Sequence, residues 1–461
     1  MTLPENEECQ SESPPAKKLK REESPQPSTS TWFVDYSLLD FCDDLLLEIF
    51  SHLKPIDLIT LGQCCKRLQR IVRDRVLWKN VDFRPLCISD KDLTKYCEFL
   101  LPTTRKLAVK GLWVPPHPRE RGGELRAIID QSYLESRLAI GMSANFFNSL
   151  TKSAPNLHTL IIENTVLDTK NLTWDKVPSN LENLSLQHCH LFELDASKSF
   201  FYGIDKSLLN LKSVNMQDCF WLESHSLYMM RKLKTLEQMA QCLDTLNLRE
   251  CYWFESHSLL TLSKCEKLEE LRLADCLLSD FVPYVSLGTR FGFKTLTIID
   301  FSRTYVTDRE ISCLNKTPNL RELYLESPGG VRGSTLISDM AVTAFGATLE
   351  VWNQLGYFVL LMPEIEEEEG SFLPSPLRVI QLLNYRTVTD TSLRHCASCL
   401  KGLQRIDVRG TACSQAGVIK FKSERPDVTI MSDFNLEVEV EAEAEADADA
   451  DADAASGVSN T

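Results

Sequence analysis

The chain has 461 residues, 43% hydrophobic and 25% charged, with a formal net charge of −15. That length exceeds one ordinary compact core and calls for several domains or an open-ended repeat array. No apolar run approaches the roughly 18 residues that a membrane-spanning helix needs. The first 30 residues, rich in Pro, Ser and Glu, lack the apolar centre of a secretory signal. The expectation is therefore a protein of the cytoplasm and/or nucleus, away from membranes. Its 16 cysteines should then be free thiols or metal ligands and not disulfides. Nine acids between Glu437 and Asp453 and a second knot at Glu364 and Glu366–Glu369 carry much of the charge. The remainder is nearly balanced, which argues against a nucleic-acid-binding surface.

In chain order, residues 1–30 read as a disordered segment with one basic cluster, Lys17-Lys18-Leu19-Lys20-Arg21, that suits either nuclear import or plain solvation. The pattern then turns helical. Asp43 and Asp44 stand in a first turn ahead of Leu45, Leu46, Ile49, Phe50 and Leu53, Pro55 restarts a second helix through Asp57-Leu58, and a third runs from Cys64 to about Arg75, followed by Trp78. Three short helices make a core too thin to be robust alone, so the module is expected to bury its outer apolar face on a partner.

Phe41 to Phe83, read as Asp-Asp-Leu-Leu-Leu-Glu-Ile-Phe-Ser-His-Leu, then Pro-x-Asp-Leu, Cys-Lys-Arg-Leu and Leu-Trp-Lys, resembles an F-box. The resemblance implies docking onto the Skp-type adaptor of cullin-RING ubiquitin ligases. Carried over by position, it makes Phe41, Cys42, Leu46, Ile49, Leu53, Leu58, Leu61 and Trp78 the adaptor-facing residues. Phe41-Cys42 stands where the family usually has Leu-Pro, so the preset φ of a proline at the helix entry is lost.

Residues 85–155 read as a linker with degenerate first repeats. Thr104-x-x-Leu107-x-Val109 looks like one repeat strand, Leu134 to Ile140 could conceal another, and the Pro- and Gly-rich stretch 115–123 reads as a surface loop. From residue 156 to 430 a template recurs: an apolar residue, two others, an apolar residue, one other and an apolar residue, followed in seven of the nine instances by Cys or Thr. It starts at Leu157, Leu181, Leu211, Leu243, Leu268, Leu296, Leu320, Leu377 and Leu403, with intervals of 24, 30, 32, 25, 28, 24, 57 and 26 residues. Most fit the leucine-rich-repeat period. The long interval suits a degenerate repeat near Leu349 plus an acidic insertion at 362–376. Alternate residues of each short strand point into the solenoid, helices cover the other flank, and neighbouring units share one core. Asp308, Asp339 and Asp390, with Ser224 and Ser256, are expected to cap helix N-termini. Cys189, Cys219, Cys251 and Cys276 fall at equivalent turns, and the pattern resembles the cysteine-containing class of leucine-rich repeats found in F-box proteins. The fold class expected is α/β: a small helical F-box followed by a leucine-rich-repeat horseshoe. Residues 31–84 form the F-box and 431–461 a disordered acidic tail.

His188-Cys189-His190 and Cys396-x-x-Cys399 contain metal-ligand types but lack a matching second pair, so no metal is expected, nor any other cofactor. No Gly-rich phosphate loop, HExxH or Gly-x-Ser-x-Gly motif points to catalysis. Asp218–Leu227 and Glu250–Leu259 repeat each other at seven of ten positions, 32 residues apart. Phe220, Trp221, Tyr252 and Trp253 are thereby placed just after the repeat strands, either as aromatic anchors for a target or as packing between long repeats. The resemblance implies a non-catalytic receptor that holds a protein substrate for ubiquitination, with cullin and RING subunits reached through the adaptor. The alternative is a nuclear leucine-rich-repeat scaffold whose acidic tail binds basic partners.

Overall fold

The computed structural model describes residues 37–114, 140–168, 170–193, 200–223, 242–278, 280–289, 292–328, 335–346 and 375–434, apart from a few side chains at the ends of these spans. The basic cluster at 17–21, the loop at 115–123, the strand sought at 134–139, Ser224 and His225, the degenerate repeat near Leu349, the acidic insertion and the tail beyond 434 lie outside the described residues.

Three helices open the chain: α1 (Asp43–Ser51), α2 (Pro55–Leu61) and α3 (Lys66–Val72). Two acids in its first turn favour the start of α1, and Pro55 stands at the first position of α2. Leu46 and Phe50 turn inward to join Leu58, Leu68, Ile71 and Val72.

A 12-stranded parallel sheet follows. Its strands are β1 (Asn80–Asp82), β2 (Lys106–Lys110), β3 (Thr159–Glu163), β5 (Asn183–Ser185), β7 (Ser213–Asn215), β9 (Thr245–Asn247), β10 (Glu270–Arg272), β11 (Ile298–Asp300), β12 (Glu322–Glu326), β13 (Val379–Leu383), β14 (Arg405–Asp407) and β15 (Thr429–Met431). The register aligns Leu160, Leu184, Val214, Leu246, Leu271, Ile299, Leu323, Ile380 and Ile406, so equivalent template positions lie side by side. All nine template starts therefore lead into strands. β12 pairs directly with β13 across the 57-residue interval. The strands at both ends, β1 and β15, are additions to the template, each carrying one inward apolar residue, Val81 or Ile430, where Leu-x-Leu would announce a repeat.

Helices cover the far flank: α4 (Asp90–Tyr96), α5 (Ala144–Ser153), α6 (Ile204–Ser207), α7 (Ser258–Leu262), α8 (Val282–Thr289), α9 (Asp308–Cys313), α10 (Asp339–Thr343), α11 (Asp390–Cys399) and α12 (Gln415–Glu424). A second parallel sheet was not foreseen. β4 (Val166–Asp168), β6 (His190–Glu193) and β8 (Phe220–Glu223) pair in that order immediately after the turns of three adjacent repeats. These segments are β-branched, aromatic or leucine-rich, which favours a short strand at that place.

One backbone device recurs at eight of the repeat turns. Asn164, His188, Asp218, Glu250, Asp275, Arg303, Asn384 and Gly410 all have φ between +51° and +72°, and each immediately precedes the Thr, Cys or Tyr that closes its turn. Asn, Asp and Gly tolerate this left-handed conformation readily. Arg303 is held there by ion pairs to Asp275 and, at 2.7 Å, to Glu326. The backbone N–H groups of Asp218, Glu250, Asp275 and Arg303 donate to the next repeat at 2.8–2.9 Å and so extend the ladder past the strands.

The capping residues stand one place earlier than the sequence suggested. Thr307, Ser338 and Thr389 cap α9, α10 and α11, and the aspartates occupy the first helical turn. The carboxylates reach sideways instead. Asp308 accepts from the N–H and hydroxyl of Ser338 at 2.7 and 2.6 Å, and Asp339 accepts from those of Thr389 at 2.9 and 2.6 Å. Asp390 accepts from Ser414 at 2.7 and 2.6 Å. Each first-turn aspartate thus ties the cap of the following helix, a ladder running across the repeats. Ser256 caps nothing: it is buried, and its hydroxyl accepts from the N–H of Asp280.

Candidate functional site

The outer face of the three-helix module is apolar. A short helical turn at Leu38–Asp40, closed by a capping box from Ser37, leads into α1. Leu38, Leu39, Phe41, Leu45, Ile49 and Leu53 are 37–43% exposed, well above the core around them. Phe41, Leu45, Ile49 and Leu53 recur at intervals of four, which places them on one side of α1 and its flanks. Monomeric surfaces seldom gather this much aliphatic area in one stripe without a partner for it.

Arg67 of α3 fixes the approach to this stripe. Its guanidinium donates to the carbonyl oxygens of Leu39 and Phe41 (2.6 Å for the latter) and to the Asp43 carboxylate at 2.8 and 3.0 Å. Arg70 adds a second contact to Asp43 at 2.6 Å. The Arg67 hydrogen bond, seconded by Arg70, holds the Asp43 carboxyl below the usual carboxylate range. Cys42 caps α1 with φ −68°, a value that a proline would fix. The Arg67 clamp therefore imposes from a distance the entry geometry that the missing Leu-Pro would preset locally.

Several residues expected on the adaptor side lie elsewhere. Leu46 on α1 and Leu58 on α2 are buried inside the module. Leu61 is half-buried against the same core. Trp78 is 1% exposed: its indole N–H donates to the Val72 carbonyl at 2.6 Å, its ring stacks on Phe99 with centroids 5.4 Å apart, and its own carbonyl accepts from Thr104 at 2.8 Å. It joins the last module helix to the first repeat and is structural. Phe41, Cys42, Ile49 and Leu53 are exposed, and Leu38, Leu39 and Leu45, which the resemblance does not single out, are exposed beside them. The run Leu45-Leu46-Leu47 hides its phase, and only the four-residue interval from Phe41 to Ile49 would have separated Leu45 from Leu46.

The aromatic pair candidates also separate. Trp253 is buried, donates its indole N–H to the Cys219 carbonyl at 3.2 Å and meets Phe254 edge-on, so it packs between repeats and offers no anchor. Tyr252 is half-buried beside it. Phe220 and Trp221 belong to β8, paired with His190 and Leu191, and not to the turn where the template put them; their side chains lie outside the described residues. His257 precedes α7 and stands 3.2 Å from Asp280.

The turn cysteines are backbone ties. The thiols of Cys189, Cys219, Cys251 and Cys276 donate to the carbonyls of Ile162, Leu186, Met216 and Leu248, each in the preceding repeat, at 3.4, 2.8, 3.0 and 3.0 Å. Burial raises all four thiol pKa values, that of Cys189 to about 12. Such thiols are poor nucleophiles and poor ligands. Cys396 is buried in α11, and His395 contacts the Phe345 carbonyl at 2.7 Å. Among the described residues no cluster of three or more His, Cys, Asp or Glu could hold a metal ion, and no helix is long and apolar enough to cross a membrane.

Residues 43–84 match the F-box-like family model. The chain is 30% identical over 158 residues to F-box/LRR-repeat protein 12 of Homo sapiens and of Mus musculus, which covers 34% of this chain and 41% of each relative. It thus spans well under half the length of the curated relatives it matches. Among solved structures, an internalin of Listeria monocytogenes aligns over 75% of this chain and 89% of its own at 12% identity, with a TM-score of 0.38. A chain from the yeast Rad7 and Elc1 complex aligns over 84% and 92% at 16% identity, with a TM-score of 0.36. Both scores are low, and the fold described above rests on its own strand register. The chain thus carries an F-box-like module at residues 43–84, followed by a parallel-strand solenoid of stacked leucine-rich repeats.

Proposed function

We propose that this chain is the substrate receptor of an SCF-type ubiquitin ligase and performs no bond chemistry itself. The observation that carries the reading is the bare stripe Leu38, Leu39, Phe41, Leu45, Ile49 and Leu53 on the F-box-like module. A Skp-type adaptor covers that stripe, and cullin and RING subunits follow through it. The 12-strand sheet provides a long open face for a protein target. Held there, the target's lysines meet charged ubiquitin-carrying enzyme at high effective concentration. Free thiols at all 15 described cysteines fit a reducing compartment, cytoplasm or nucleus.

The test is reconstitution of the full chain with purified Skp-type adaptor on a sizing column, against Leu45→Asp with Ile49→Asp. Both side chains are solvent-facing, so the variant should keep its melting temperature and lose the complex. A wild-type chain that never co-elutes with the adaptor would overturn the reading in favour of the acidic-tail scaffold.

A further inference from the structure

One row of the open sheet face repeats a single side-chain device. Leu184, Val214 and Leu246 are buried in the core, so the residues on either side of them in β5, β7 and β9 face the other way. Asp82, Asn215, Asn247, Asp300 and Asp407 hold the same register position in β1, β7, β9, β11 and β14. In each, one side-chain oxygen accepts from the backbone N–H two residues on. The distances are 3.0 Å at Asp82, 3.1 Å at Asn215 and at Asn247, 3.0 Å at Asp300 and 3.3 Å at Asp407. That bond fixes the side chain and aims its second terminal atom away from its own turn.

The second atom decides the chemistry. In the three aspartates it is an oxygen, and each accepts from a guanidinium: Asp82 from Arg84 at 2.6 Å, Asp300 from Arg249 at 3.1 Å and Asp407 from Arg409 at 2.7 Å. In Asn215 and Asn247 it is Nδ2, because only Oδ1 can accept the turn N–H. The polarity is thereby inverted, and two NH2 groups stand where carboxylate oxygens would be. They belong to register partners on adjacent strands, roughly 4.8 Å apart. Both residues are half-buried, and among the described residues neither Nδ2 has an acceptor.

The surroundings select the ligand. Asn183, Ser185 and Gln187 on one side, Ser213 and Gln217 on β7 and its end, and Thr245 on β9 are all uncharged. Charges that border this patch are already paired, Arg249 with Asp300 and Arg272 with Glu270 beyond β9, and Glu163 with Arg84 beyond β5. An ionic ligand would give up its hydration here and meet charges that are taken. A neutral acceptor gains two donors whose direction is set in advance.

We propose that Asn215 and Asn247 form a subsite for the carbonyl oxygens of an extended, uncharged peptide segment laid across β5, β7 and β9. Two strand spacings separate β5 from β9, roughly 10 Å, a distance that about three residues of extended chain cover. That this segment belongs to the ligase target rests on the receptor reading above; the peptide binding itself stands on the orientation of the two carboxamides.

The experiment pans a phage-displayed library of random dodecapeptides on the full-length chain, without adaptor. Recovered peptides should share a short core free of Asp, Glu, Lys and Arg. A fluorescent copy of the most frequent one should bind by anisotropy with little change between about 0.05 and about 0.5 M salt, since screening acts on charges. Asn215→Asp with Asn247→Asp keeps both turn acceptors and removes both outward donors. Binding should then weaken at least about tenfold at an unchanged melting temperature. Panning on that variant should recover arginine-bearing peptides, because Asp300 and Asp407 hold arginines at the same register position. Lys420→Ala on α12, on the helical flank, should change nothing. A library that yields no enriched peptide, an enriched core that is charged, or an aspartate variant that binds and selects as the native chain does would each overturn the proposal. None of these outcomes touches adaptor binding, so failure here is distinct from failure of the receptor reading.

Discussion

The cap ladder makes a quantitative claim best tested at Asp339. Its carboxylate accepts from the Thr389 N–H and hydroxyl, from the Ser392 N–H at 3.1 Å and from the Ser392 hydroxyl. Ser392 is fully buried, so Asp339→Ala leaves its hydroxyl, and the N–H and hydroxyl of the Thr389 cap, without this acceptor, while the Ser392 N–H keeps the Thr389 carbonyl at 2.9 Å. A hydrogen bond to a charged group contributes about 1.5–3 kcal/mol, and the four share one acceptor group and partly substitute for one another. The expected cost of Asp339→Ala is about 3 kcal/mol. Asp339→Asn, which keeps one carbonyl oxygen for Ser392 or Thr389, should cost about half of that. Repeat arrays can unfold in parts, so the assay is native-state hydrogen exchange at the amides of α11 and α12, with urea melts as a global check. Protection should fall from α11 onward while α4 and α5 are unaffected. A loss below about 1 kcal/mol, or one spread evenly over all repeats, would refute the ladder as a coupling device.

Other consequences can be measured directly. Cys42→Pro should stabilise the chain by about 0.4–1 kcal/mol in urea melts, because φ is already −68° at Cys42 and the preceding residue has ψ 148°. His188 is hydrogen-bonded to Asp218 at 2.9 Å, which raises its pKa above the ordinary value. A raised folded pKa gives stability that is full below about pH 6.5 and is lost as pH rises through the folded value. Melting temperature should therefore fall slightly across that window, and His188→Asn, which tolerates the same positive φ, should flatten the profile. In alkylation followed by peptide mapping, Cys42, Cys64 and Cys87 should react in the folded chain, whereas Cys189, Cys219, Cys251 and Cys276 should react only on unfolding.

The sequence exposed the architecture more fully than the surface. Leu-x-x-Leu-x-Leu has one physical solution, a strand whose apolar side needs neighbours, and all nine instances obey it. β1 and β15 escaped because a terminal strand buries one apolar residue and so carries no period. The second sheet escaped because Val166–Asp168 and Phe220–Glu223 are too short to show alternation. Site residues were harder, since burial depends on helix phase. Leu45 and Leu46 are chemically identical neighbours, one exposed and one in the core. Trp78 and Trp253 were read as contact residues because large aromatics serve both interfaces and interiors, and only their indole N–H partners, Val72 and Cys219, tell which. The aspartates beside each cap were recognised as helix-start signals, but their reach into the next repeat depends on stacking that no single repeat reveals.

The central claim is that the stripe from Leu38 to Leu53 is left bare for an adaptor. Hydrogen exchange of the full chain, alone and with a Skp-type adaptor, tests it most directly. The account expects new protection at residues 38–53, none at Trp78 and none across β3 to β14. Protection confined to the repeat sheet, or an unchanged pattern at saturating adaptor, would contradict it.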